Sequence, residues 1–237
     1  MAVPDRMDEH LRALRLVEAQ RLAQAVFAEV AQGGLVVPGR TELEADTLIK
    51  EVAEGIFGPG AGQPGRMVRS GPHTVLPYGQ EPPDRVIGAD EIVVLDFGPL
   101  LAGHETDFAR TVVLGDDPGR HRLVENLAEL GAAARQVFLG EDKITGRQLQ
   151  AEVRSLAARA GWTLGTWHVG RLSGQAPASG TCGACGIRPE CFIGPDNDQP
   201  LRRTVGGGWR AHWILEIRLV DSYRGCGGAF KQLLDLV

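Results

Sequence analysis

Glu91-Ile-Val-Val-Leu-Asp96-Phe97-Gly98 and, after a short connection, Thr106-Asp107-Phe108-Ala109-Arg110-Thr111-Val-Val-Leu114 decide the fold. Each half carries a short, unbroken run of apolar and β-branched residues bounded by polar or glycine positions, the pattern of a buried strand. Phe97 to Phe108 then reads as the bent connection of a hairpin. Each strand brings one aspartate, Asp96 or Asp107, to the end nearest that connection. Paired strands can place two such carboxylates on one side of a curved sheet, and hard divalent ions take oxygen ligands. The plainer reading is a hairpin with two solvent-facing acids.

Outward from the hairpin the texture is helical. Residues 6–31 place Leu11, Leu14, Val17, Leu22, Val26 and Val30 at helical spacing, and Gly33-Gly34 ends that helix. Thr41-Glu-Leu-Glu44 is a capping-box start for a second helix to about Gly55. Residues 57–66 are rich in Gly and Pro and read as loop. Downstream, helices are expected over 120–138 and 145–160, the second opening on a Thr145-Gly-Arg-Gln148 capping box. The strand-like segments that follow are Trp167–Gly174, His212–Val220 and Gly227–Val237, with a long irregular stretch over 178–210. No linker separates two cores, so one domain is expected over 1–237.

The hairpin, with its two aspartates eleven residues apart and Arg110-Thr111 behind the second, resembles the dinuclear-metal motif of metallopeptidase family M24, the methionine aminopeptidase, aminopeptidase P and creatinase superfamily. The resemblance runs from about residue 65 to the C-terminus, with 1–60 fitting as the leading helices. Met67-Val-Arg-Ser-Gly-Pro-His73 looks like the family's Ser-Gly loop, and His212-Trp-Ile-Leu-Glu216 like the strand presenting a metal-binding Glu. Gly227-Gly-Ala-Phe-Lys231-Gln232 looks like the closing strand. The fold this implies is α+β, the pita-bread (creatinase/aminopeptidase-like) fold, a curved antiparallel sheet covered by helices.

The family's five metal ligands are two Asp, one His and two Glu. Asp96, Asp107 and Glu216 match. Aligning Gly170, Gly174 and Pro177 puts Arg171 where the ligand His belongs and Ala178 where a substrate-facing His belongs; a shifted alignment makes His168 the ligand. The last Glu falls on Lys231, or on Gln232 if the strand slips by one. Pro77-Tyr78 stands where peptidases of this class place a further His. Three carboxylates gathered without metal would repel, and a guanidinium and an ammonium among them would relieve it. The expectation is therefore a degenerate metal site in which Asp96, Asp107, Glu216, Arg171 and Lys231 form an ion-pair cluster.

The function expected is that of a hydrolase-like, metal-independent enzyme acting on a small amino-acid- or peptide-like metabolite. Asp96, Asp107, Glu216, Lys231 and Tyr78 are the catalytic candidates, and Arg171, His73, His168, His104 and Cys226 would bind substrate. No cofactor is expected. The alternatives are a mononuclear Mn, Fe, Co or Zn site from Asp96, Asp107, Glu216 and His168, and a non-catalytic binding or scaffold protein. Cys182-Gly-Ala-Cys185 with Cys191 can clasp zinc, form a loop disulfide, or stay as free thiols. Among 237 residues, 43% are apolar and 23% charged, as in a soluble globular protein. The net charge of −5 argues against nucleic acid as a partner. No apolar run reaches the length of a bilayer span, and the first ten residues lack the apolar core of a signal peptide, so the cytoplasm is expected. A homodimer is compatible with the sequence.

Overall fold

The computed structural model describes residues 6–58, 67–77, 79–98, 107–173 and 188–236. Two helices lead the chain, α1 (Arg6–Gln32) and α2 (Glu42–Phe57). Thr41 caps α2 by accepting from the Glu44 amide while Glu44 accepts from the Thr41 amide, which satisfies two otherwise orphaned donors. Two further helices follow the hairpin, α3 (Pro118–Gly140) and α4 (Gly146–Arg159). The Asp117 carboxylate starts α3, and the reciprocal Thr145–Gln148 box starts α4. Both capping boxes read from the sequence thus form.

The strands are β1 (Val68–Ser70), β2 (Glu91–Phe97), β3 (Phe108–Leu114), β4 (Thr163–Leu164), β5 (Gly170–Leu172), β6 (Trp213–Asp221) and β7 (Cys226–Leu233). Among the described residues they form one sheet in the order β1-β2-β3-β7-β6-β4, with β5 also pairing β6. Every pairing is antiparallel. The β2–β3 hairpin stays paired as far as Phe97 opposite Phe108, so both aspartates stand at its tip. β1 and β4 have no counterpart among the strands read from the sequence: three and two residues are too short to show a period.

Alternation along the strands sorts the side chains onto two faces. Val93, Leu95 and Phe97 of β2 pack with Ala23, Val26, Val30 and Ile49 of the leading helices. Trp213, Leu215, Ile217 and Leu219 of β6 pack with Leu123, Leu127, Leu149 and Val153 of α3 and α4. The helices therefore cover mainly one face; on the other, Leu16 of α1 packs on Ile214 and Leu233, and the site lies beyond that contact. Gly131 lets α3 come close to β7, since a side chain there would meet the Phe230 ring at 2.6 Å. Among the described residues no helix is long and apolar enough to cross a membrane.

Candidate functional site

Strand register assembles the site. Asp96 pairs with Ala109, Ala109 with Lys231, and Lys231 with Glu216, a single row across β2, β3, β7 and β6. Residues in such a row project to the same side of the sheet. Asp107 precedes Ala109 by two residues and Arg218 follows Glu216 by two, so both join that face. Arg171 pairs with Ile214, again two residues from Glu216, and joins it too. The small side chains of Ala109 and Ala229, buried beside Val94, leave room for long ones to meet above them. Gly98 is needed for the same reason: a side chain there would lie 2.0 Å from the Asp107 carboxylate.

Six charges meet there, three of each sign. The Lys231 ammonium donates to both Asp96 oxygens at 2.9 and 3.1 Å, and lies 3.4 Å from Asp107 and 3.8 Å from Glu216. Arg171 Nη2 donates to Asp107 Oδ2 at 2.5 Å. Arg218 spans two acids, Nε to Glu216 at 3.1 Å and Nη2 to Asp96 at 3.2 Å. Asp107, Arg171, Glu216 and Lys231 are all buried. Burial by itself would push the Glu216 carboxyl up, but the charges of Lys231 and Arg218 hold it at about 2. Burial also opposes the Lys231 charge, yet Asp107, Asp96 and Glu216 together keep its pKa above the ordinary lysine value. Among the described residues no group of three or more His, Cys, Asp or Glu is arranged to hold a metal ion.

Arg218 is the member that the sequence reading missed. Its signal was present, because residues i and i+2 of a strand share a face and Glu216 had already been placed on this one. Gln232 faces the other way, its carbonyl oxygen accepting from Arg110 at 2.6 Å, so Lys231 is the residue at the cluster. His168 lines the adjoining cleft. Burial, together with the charges of Lys231, Arg171 and Arg218, lowers its pKa against the pull of Glu216. Its Nδ1 is buried with no partner among the described residues.

Other candidates lie apart from the cluster. His73 turns to the buried Glu42, Nδ1 at 2.8 Å, where Ser70 also bonds. Cys226 opens β7 opposite Asp221, five residues short of Lys231 and roughly 17 Å along the strand, and burial pushes its thiol pKa up. Cys191 is buried in the core beneath α3 and α4, its thiol raised by burial and Glu190. Tyr78, His104, Cys182 and Cys185 lie outside the described residues.

A cleft of about 390 Å³ opens beside the cluster. Thr74 to Pro77 form one wall, Trp167, His168 and Phe192 another, and Arg171, Glu216, Arg218 and Lys231 line it as well.

Residues 15–194 match the model of metallopeptidase family M24. The probable dipeptidase PepE of Mycobacterium tuberculosis is 31% identical over 164 residues, 64% of this chain and 42% of that protein. The Xaa-Pro dipeptidase of Pyrococcus horikoshii is 22% identical over 167 residues, 66% of this chain and 46% of that protein. The chain thus spans under half the length of these curated relatives. Among solved structures, the X-Pro aminopeptidase of Thermotoga maritima superposes with a TM-score of 0.72 at 18% identity, covering 100% of this chain and 63% of that one. Dipeptidase PepE of Mycobacterium ulcerans gives 0.69 at 26% identity, covering 98% and 56%.

Proposed function

The chain belongs to metallopeptidase family M24 and has its pita-bread fold, and we propose that one lysine and two arginines do here the charge balancing that a metal pair does in the family, leaving a cleft that handles a small amino-acid- or peptide-like molecule without metal. One observation carries this: the Lys231 ammonium within 2.9–3.8 Å of all three carboxylates.

The donor set does not suit a metal pair. Hard divalent ions need carboxylate oxygens free to approach at roughly 2.0–2.6 Å. The inward oxygens of Asp96, Asp107 and Glu216 already accept from cations. A divalent ion among them would stand against one ammonium and two guanidinium groups in a site of reduced dielectric, where like charges repel strongly.

The same pairing constrains chemistry. Glu216, held at about 2, is a poor base near neutrality, and a Lys231 held protonated is a poor acid. Proton transfer falls to His168, whose lowered pKa keeps it neutral at physiological pH beside the cleft. Arg171, Arg218 and Lys231 orient polar groups of the bound molecule.

Elemental analysis of the tag-free protein, before and after incubation with manganese, iron, cobalt or zinc, tests this. The expected wild-type result is no ion whose retention depends on Asp96. Restoring a metal cradle should take three changes: Arg171→His, Lys231→Glu and removal of the Arg218 guanidinium as Arg218→Gly. The first two alone leave a cation bonded to Asp96 and Glu216. One or two ions in the wild type, lost in Asp96→Ala, would overturn the reading in favour of a metal-dependent hydrolase.

A further inference from the structure

The cleft presents an unbalanced face to whatever enters it. Cluster charges sum to zero, but of the six the cleft is lined by Arg171, Arg218, Lys231 and Glu216. A ligand therefore meets three cations and one acid. Arg218 is the open one. Its Nε and Nη2 are committed to Glu216 and Asp96, and Nη1 has no partner among the described residues. A guanidinium edge partly fixed by two carboxylates is a preorganised donor for a further acceptor, at little added entropic cost.

The wall beside it is aromatic. Trp167 lies 4.9 Å from Phe192 and 4.8 Å from His168, centroid to centroid, and Phe192 lies 5.0 Å from His168. Trp167 remains 40% exposed although it lines a concave site. A large apolar ring left open at the edge of a cleft gains from covering by a planar or apolar group. Val75, Leu76, Pro77 and Val220 supply apolar surface around the rest of the cleft. At about 390 Å³ the space suits a molecule of one or two residues' size.

We infer that the cleft takes a small monocarboxylate with a planar or apolar body, its carboxylate on Arg218 Nη1 and its body against Trp167 and Phe192. This rests on the metal-free reading above, because the carboxylate is held by protein cations. His168 is placed to give or accept one further hydrogen bond from the same molecule.

The probes are 3-phenylpropionate, its amide 3-phenylpropionamide, and 3-phenylpropylamine, titrated by calorimetry into the wild-type chain in EDTA and again with one equivalent of Mn²⁺. A charge-assisted bond is about twice as strong as a neutral one, so the acid is expected to bind at least ~10-fold tighter than the amide, with the amine weakest. EDTA should change nothing. Trp167→Ala, at an exposed ring whose loss spares the core, should weaken acid and amide alike by about tenfold. Arg218→Gln should lower the acid to the level of the amide, with circular dichroism confirming the fold. Equal affinity for acid and amide, a preference for the amine, or no binding of any probe to the folded wild type would overturn the inference. Absence of bound Mn²⁺ in those same samples would leave the metal-free reading standing. Acid binding seen only with Mn²⁺ would overturn both.

Discussion

Lys231 is the residue on which the site turns. It holds three acids together that would otherwise repel, and Arg171 and Arg218 complete the balance. Such a cluster need not make the fold more stable than an apolar core of the same volume, but breaking it is costly. Lys231→Met should therefore lose about 3–5 kcal/mol at pH 7 in urea unfolding. The sign with pH follows from Glu216, whose folded pKa of about 2 lies below its ordinary 4.5. In the wild type its ion pairs stabilise the fold above pH 4.5, and that contribution fades as pH falls toward 2. In the variant the acids repel one another, and protonation at low pH relieves that repulsion. The gap between variant and wild type should accordingly narrow from pH 7 to pH 4; a gap independent of pH would mean that Lys231 acts through packing alone. Gly98→Ala tests the neighbouring constraint. Its methyl would displace the Asp107 carboxylate, so a loss of about 1–3 kcal/mol is expected in thermal unfolding.

At the scale of elements, the strands do the assembling and the caps set where helices begin. Ala109, between Asp96 and Lys231 in the cross-strand row, is fully buried and small enough for the ion pair to bridge it. The Thr41 box fixes the start of α2, which carries the buried Glu42 that holds Ser70 at the end of β1 and His73 in the turn after it. Thr41→Ala should lower stability by about 0.5–2 kcal/mol, read from the denaturant midpoint. Gly131→Ala offers a sharper test. In an exposed helix that change gains about 1 kcal/mol, whereas here the methyl meets Phe230 at 2.6 Å. Destabilisation is expected, and a stabilised variant would show that α3 can lift from β7 freely.

Over the whole molecule, distant ends of the chain are tied together by His212. Its Nε2 lies 3.0 Å from Glu9 of α1 and its Nδ1 2.6 Å from Asp235 beyond β7, while Arg12 donates to the Arg210 carbonyl at 3.0 Å. The leading helix is thereby fastened to the closing end of the sheet. His212→Leu would leave two carboxylates near one another without a bridge, at a cost of about 1–3 kcal/mol. Amide exchange in the first turns of α1 should then quicken while β2 and β3 stay protected; unchanged exchange in α1 would place its anchoring elsewhere, in Leu16 and Gln20.

The sequence by itself determined the hairpin and the four helices with their two capping boxes, and it singled out Asp96, Asp107 and Glu216, which the fold brings together. Each is written locally, in a short apolar run, a helical period or a Thr-x-x-Glu/Gln spacing. Arg171 and Lys231 were also singled out as cations expected among those acids, and the fold pairs both with them. Only the tertiary structure decided which of Lys231 and Gln232 faces the cluster, because a one-residue slip along a strand reverses the face and only the partner strands fix the register. It also brought in Arg218, set His73 against Glu42 instead of the cleft, and joined Trp167 to Phe192 across residues far apart in the chain. Contacts of that kind depend on sheet curvature and loop return, which no local spacing encodes.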